Sequence, residues 1–447
     1  MTSPEWLSYW VAMTAIKTES LLESIAGDDV QGVERLLCGT GESKEALMLL
    51  DAGAGCRLLS RLQSEAMVDV LLKHGLTTQR ISESLAPGFG LDTIPLAISQ
   101  HLVRRGVTLT PHSAAGLGLS VELRRIVERD PALVHAQGGD GCRPLHFARN
   151  VDVARYLVEN GAELNARDED HDSTPAQWRI GEAPAVTRFL ISSGATPDIF
   201  MAAGLGDLPL TERLVEENPA CTMWRIGNNN SPLPGIGFNG RGGTIYQWTL
   251  GFNQSPHEVA RHRGHEDIFA FLFARTPPRH QLLVACALAD RTRAEMIAAK
   301  NPALVTHLDL EDRQLLAKFC WETNKNIEAV RLMLDLGFPV DVPETNHGYL
   351  PLHNAAWCGD PALVALLLAR GHPVDRRDPA HQSTALGYAL HSCLVAKRHS
   401  DANFPEVVRL LLEAGVPLGA SQHPTGHPAL DAVINRFIKN RPVDQTL

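Results

Sequence analysis

No window of this chain runs 18 residues without a polar or charged interruption, so a membrane-spanning helix is not expected. The first twenty residues, MTSPEWLSYWVAMTAIKTES, lack both a basic start and a long apolar run, and are not read as a secretory signal. Cysteine is sparse: eight, from Cys38 to Cys393, with no C-x-x-C among them. They read as free, mostly buried thiols in a reducing compartment, the cytoplasm. Basic charge is also short. Lys and Arg number 41 against 51 Asp and Glu, a net charge of −10, which argues against gripping nucleic acid through the overall field. Catalytic signatures are missing too: no G-x-S-x-G elbow, no G-x-x-x-x-G-K-[ST] loop, and no G-x-G-x-x-G after a strand. The Gly-rich FNGRGGTIY lacks the Lys and the following helix that phosphate binding needs. No cofactor and no metal are expected.

What the chain does have is 44% hydrophobic residues over 447 positions, enough for a large core and, on length alone, for about three domains. One stretch resembles a zinc site. PHEVARHRGHED, residues 256–267, nearly spells H-E-x-x-H, in which two histidines four apart share a helix face. Here position 261 is Arg261 and the next histidine is His262, five residues on. Five residues turn a helix through roughly 500°, leaving the two side chains about 140° apart, so they cannot grip one ion. The acidic run RDEDHDS (167–173) could offer oxygen ligands to a cation, but reads first as a solvated loop.

Periodicity gives the better account. In GYLPLHNAAWCGDPALVALLLARGHPVD, residues 348–375, an apolar helix ends at Gly359 and a second one closes on Gly371. Alanines permit close approach of helices, and the glycines suit chain reversals. The same plan recurs at 141–168, 173–198, 255–277 and 383–415, and degenerate copies extend it over most of the chain. The units RPLHFA, STPAQW, SPHEVA, LPLHNAA and STALGYA resemble the ankyrin repeat, with its T-P-L-H-x-A-A-x-x-G-H signature and following V-x-x-L-L-x-x-G-A helix. Some bacterial ankyrin proteins have this overall look, with degenerate repeats and a mid-chain interruption. Ser255 and Pro256 then take the Thr-Pro places, Glu258 the place of the motif's His, and Gly264-His265 the turn. The resemblance implies an all-α fold, an ankyrin-like solenoid of about 12 stacked helix-turn-helix units with short β-turn fingers. One elongated stack over 1–447 replaces the three domains, with caps at 1–20 and 422–447.

Departures from a repeat are where function concentrates. Residues 228–254 form an insert rich in Gly and Asn with aromatics Phe238, Tyr246, Trp248 and Phe252, read either as a lid or as packed decoration. HSCLVAKRHSDANF (391–404) adds roughly ten residues between two helices, and FARN (147–150) omits about three. On the ankyrin plan the groove-facing positions are Phe147, Trp178, His262, Arg263, Asn354, Trp357, Cys358, Tyr388 and His391. The fingers add Asp168, Asp170, His171, Asp172, Tyr349 and His381. Aromatic and Arg side chains with a polar rim are the composition of binding hot spots, so Phe147, Trp178, Trp248, Arg263, Tyr349, Trp357 and Tyr388 are the expected partner-binding residues. His146 and His353, at the His of P-L-H, are expected to tie repeats together, with Gly264 and Gly359 as turn residues.

The resemblance implies a non-enzymatic scaffold that binds another protein, without nucleic acid or membrane. The alternative is a small apolar ligand, or an acid–base enzyme of isomerase, cyclase or hydrolase type, in a groove lidded by 228–254, with His391 and His262 as the weak catalytic candidates. A thiol–imidazole pair of Cys358 and His391 is the least favoured option, since a Cys inside a repeat is usually inert packing.

Overall fold

The computed structural model describes residues 21–38, 58–59, 61–86, 88, 91, 94–228, 233–237, 243–344, 348–396, 402–419 and 422–440. The proposed N-terminal cap, 1–20, and Phe238 lie outside them. Among the described residues there is no strand; the fold is all-α, built of stacked helix–turn–helix repeats. The chain falls into two compact units. Unit 1 takes the residues up to Leu214 together with Arg225–Leu250, and unit 2 takes Val215–Trp224 and everything from Gly251 onward.

Most of the described repeats pair a short inner helix with a longer outer one. In unit 1 the inner segments Pro111–Gly116, Pro144–Phe147 and Pro175–Arg179 pack in succession, and the outer helices Ser120–Arg129, Val151–Glu159 and Pro184–Ser192 follow suit. In unit 2 the pairs include Pro256–His262 with Glu266–Arg275, Pro351–Trp357 with Pro361–Ala369, and Ala385–His391 with Phe404–Glu413. Helix Pro428–Lys439 packs on Phe404–Glu413 through Leu430 and Ile434, so the C-terminal segment is helical from Pro428 to Lys439.

The inner helices start where local chemistry dictates. Thr174 and Ser255 cap their helices, with Pro at the first helical position, where no N–H is missed. Gln177 accepts from the Thr174 N–H at 2.9 Å and Glu258 from the Ser255 N–H at 3.0 Å, each completing a capping box. Glu258, the acid of the zinc-like stretch, therefore closes a helix end and is 1% exposed. Its neighbour His257 is fully buried, donating to Thr276 Oγ1 at 2.8 Å and sitting edge-on to Phe269 and Phe273, whereas His262 is exposed. Alanines 114, 115, 355, 356 and 389 have no exposed surface, which lets neighbouring inner helices approach closely. Gly359 turns the chain at φ 62°, and a Cβ there would lie 2.5 Å from that of Ala402.

Histidines join successive repeats. His146 accepts the Arg143 N–H on Nδ1 at 3.0 Å and donates from Nε2 to the Ser173 carbonyl of the next finger at 3.2 Å. His353 reaches the Ser383 carbonyl at 3.0 Å in the same way, and His112 reaches the Ala136 and Cys142 carbonyls at 3.0 and 3.1 Å. Burial drives the His146 pKa down to about 4, against the pull of Asp168 and the backbone acceptors. An imidazole neutral in the fold but free to protonate once unfolded stabilises fully above its unfolded value near 6.5. That contribution is lost as pH falls from about 6.5 to 4, and amounts to about 3 kcal/mol. Denaturant titrations at pH 7.5 and 4.5 should show wild type losing more stability on acidification than His146→Gln, which cannot titrate. Equal losses would remove His146 from the acid response.

Candidate functional site

Two clusters stand out, one in each unit, and one sequence module underlies both. D-x-x-H-x-S-T occurs at 168–174 and again at 378–384, with an aromatic residue four positions further on, Trp178 or Tyr388. In both fingers the Asp folds back on the loop: Asp168 accepts the Ser173 N–H at 3.0 Å, and Asp378 accepts the Ser383 N–H at 3.0 Å. The residue after each His takes a left-handed conformation, φ 51° at Asp172 and at Gln382. This recurrence was the readable signal for the finger chemistry, and reading the fingers one residue at a time misses it.

In unit 1 the module shapes a cavity. Trp178, half-buried, donates from Nε1 to Asp168 Oδ2 at 2.9 Å, and His171 Nδ1 lies 3.3 Å from Asp168 Oδ1. Burial pushes the Asp168 carboxyl up, but the hydrogen bonds from His171, Trp178 and the backbone outweigh it and hold the group at about 2. For His171 burial works downward, yet its bond to Asp168 and the charges of Asp168, Asp170 and Asp140 raise its pKa. Its ring meets Trp178 and Trp248 edge-on, with centroids at 5.4 and 5.2 Å. Phe147 meets Trp178 at 5.8 Å and His112 at 6.0 Å. The space beside these rings is about 260 Å³, and Asp140, Arg179 and Glu182 also line it.

Both irregularities of this region build that cavity. The three residues missing at FARN reduce the inner helix to a 3-10 turn, Pro144–Phe147, between full helices on either side. Phe147, expected on the open face, is 4% exposed: it fills the gap left by the missing turn and forms a cavity wall. The opposite side comes from the insert, whose described part is packed. Tyr246, Thr244 and Ile236 have no exposed surface, and Tyr246 donates its hydroxyl to Asp198 at 2.6 Å. Asp198 also accepts from Gln177 at 3.2 Å and from the Phe200 and Met201 N–H groups at 2.9 and 3.0 Å. Burial pushes the Asp198 carboxyl up against these bonds. Trp248, 65% exposed, stands at the cavity rim.

In unit 2 the module anchors a row of rings. Trp321, Trp357 and His391, from three consecutive repeats, stack in succession at 6.3 and 5.9 Å with planes 16° and 23° apart. A second line runs from Trp321 through Tyr349 to His381, at 6.3 and 6.2 Å. Tyr388 packs beneath, edge-on to Trp357 and Tyr349 and 8% exposed. Its hydroxyl is held at a raised pKa by burial and by Asp378. His391 and His381 are exposed, and Trp321, Tyr349 and Trp357 are half-buried.

The ankyrin-repeat family model matches residues 140–169, which hold Asp140, Phe147 and Asp168, and 347–379, which hold the Trp357 helix. The chain carries ankyrin repeats. A 49-residue stretch is 45% identical to the serine/threonine-protein kinase VIK of Arabidopsis thaliana, covering 10% of this chain and 11% of the kinase. Among solved structures, the human ASB11 ankyrin repeat domain is similar at 20% identity over 70% of this chain and all of that one, with a TM-score of 0.27. The ankyrin repeat domain of Bcl-3, a member of the IkappaB protein family, is similar at 19% identity over 54% of this chain and 99% of that one, with a TM-score of 0.31. Ankyrin repeats are in general protein–protein interaction modules. No helix among the described residues is long and apolar enough to cross a membrane.

The other expected positions on the ankyrin plan are scattered. Arg263 is exposed at the end of Pro256–His262, and Gly264 follows it at φ 79°. Asn354 is 2% exposed and donates to the Ala317 carbonyl at 3.0 Å, joining two inner helices instead of facing outward. Cys358 is 5% exposed and its thiol is pushed up to about 12 by burial, the opposite of an activated nucleophile. Trp321 was missed because KFCWETNKN departs too far from the ankyrin signature to fix its face. The inner helix Ala385–His391 continues as a π-helix through Ser392–Ala396, where the second interruption begins; residues 397–401 of it lie outside the described ones. Among the described residues, the one set whose atoms could together hold a metal ion is Asp140, Asp170 and His171, within 4.8 Å of one another.

Proposed function

We propose that this ankyrin-repeat protein is a non-enzymatic adaptor of the cytoplasm that binds a partner protein through the ring row of unit 2. The observation that carries the reading is the Trp321–Trp357–His391 stack, which spans three repeats with Tyr349 and His381 alongside. Rings already packed against one another lose little freedom on binding, and aromatic anchors carry a large share of interface energy. The half-burial of Trp321 and Trp357 leaves ring edges to be covered while fixing their orientation.

Photo-crosslinking tests this. A photoreactive residue at His391 or His381 should capture the same protein from native cells, and one at Glu328, exposed on an outer helix, should not. With that protein purified, Trp357→Ala should weaken binding by about 1–3 kcal/mol. Thermal unfolding should stay near wild type; a collapse in stability would make Trp357 a core residue. Capture from Glu328 alone would move the interface to the outer helices.

A further inference from the structure

The unit 1 cavity differs in chemistry from the ring row of unit 2. Three aromatic side chains wall it: Phe147, Trp178 and Trp248. Four carboxylates gather at it or just behind its wall: Asp140 and Glu182 in the lining, Asp168 behind Trp178, and Asp170 3.7 Å from His171. Two cationic side chains answer them. Arg179 is paired with Glu182 at 3.3 Å, and His171 is shared between Asp168 and Asp170. Even with His171 counted as a full cation, negative charge exceeds positive by two by side chain, and Asp140, exposed at the mouth, has a carboxylate oxygen within 4.8 Å of one on Asp170. Ring faces attract a cation through their quadrupole, and the attraction grows when the site excludes water.

We infer that this cavity binds a small organic cation, an alkyl- or arylalkyl-ammonium, with its apolar part between Trp248 and the Phe147–Trp178 pair and its charge against Asp140. An anion would meet the surplus carboxylates, and a neutral molecule would leave them unanswered. A bare metal ion would use the carboxylates but not the rings. The glycines of the lining fit this use of space: a Cβ on Gly88 would come within 2.8 Å of the Phe147 ring, and one on Gly116 within 3.2 Å of Leu91.

The test is isothermal titration of the full chain with 2-phenylethylammonium, with 2-phenylethanol as the uncharged analogue and phenylacetate as the anionic one. The ammonium should saturate with a Kd below about 1 mM, and the other two should bind at least about tenfold more weakly. Two variants at exposed positions should fold normally. Asp140→Asn suits the left-handed φ of 55° at that position, and Trp248 is 65% exposed. Asp140→Asn and Trp248→Ala should each weaken the ammonium about fivefold or more, while Trp357→Ala, in unit 2, should leave it unchanged. Equal binding of the alcohol, indifference to both variants, or no saturation would overturn the inference. So would displacement of the ammonium by micromolar Ca²⁺ or Zn²⁺, which would assign the carboxylates to a metal ion. The ring row in unit 2 stands or falls on its own crosslinks.

Discussion

Replacing residues 233–250 with a short Gly-Ser link is expected to unfold unit 1, at a cost of about 6–10 kcal/mol, comparable to the whole stability of an ordinary domain. Composition alone argues for a dispensable loop, since five of the 18 residues are Gly and helix content would survive its loss. The packing argues otherwise. Ile236 and Tyr246 have no exposed surface and Ile245 is 5% exposed, so removing them forfeits about 2–3 kcal/mol each. Their loss also uncovers Gly181 and Gly204, which lie against Thr249 and Leu250. Circular dichroism with hydrogen exchange would decide: loss of protection throughout 111–205 is expected, and a native spectrum with protected amides would return the insert to the status of an appendage.

Asp198→Ala should cost about 3–7 kcal/mol by a route that leaves the chain length unchanged. The side chain caps Ile199–Leu205 through the Phe200 and Met201 N–H groups, and its loss alone is worth about 1 kcal/mol. It also strands the Tyr246 hydroxyl and the Gln177 amide, two buried donors, at about 1–3 kcal/mol each. Tyr246→Phe removes one donor and keeps the ring in place, so it should cost only about 1–2 kcal/mol. Chemical denaturation of both variants checks the order. A reversed order would mean that the ring's hydroxyl, and not the cap, holds the insert.

The repeat plan was legible because its parts are local. A Ser or Thr before Pro, a carboxylate or amide three residues on, alanines at the contact and a glycine at the turn each act within one unit. The faces were less legible. Trp357 and Tyr349 emerged from an intact signature, but Asn354 and Cys358, from the same helix, turned inward. An inner helix of seven residues has two neighbours, and spacing does not say which positions a neighbour covers. A groove lidded by 228–254 was expected from the sequence; its walls were not, because they need a deletion at 147–150 and an insertion some hundred residues later to meet in space. Each was recognisable as a break in pattern; nothing in the order of residues says that they complement one another.

The histidine ties have a direction. His112, His146 and His353 each reach forward, to carbonyls 24 to 30 residues later, so an inner helix is finished by the finger that follows it. On a ribosome a repeat therefore waits for its successor to emerge before its imidazole is satisfied, and folding should trail synthesis by about one unit. Truncation should be equally lopsided. Cutting just after an outer helix leaves a buried donor stranded behind the cut, whereas cutting just before a finger, from the other end, removes only the imidazole and leaves a carbonyl that water can serve.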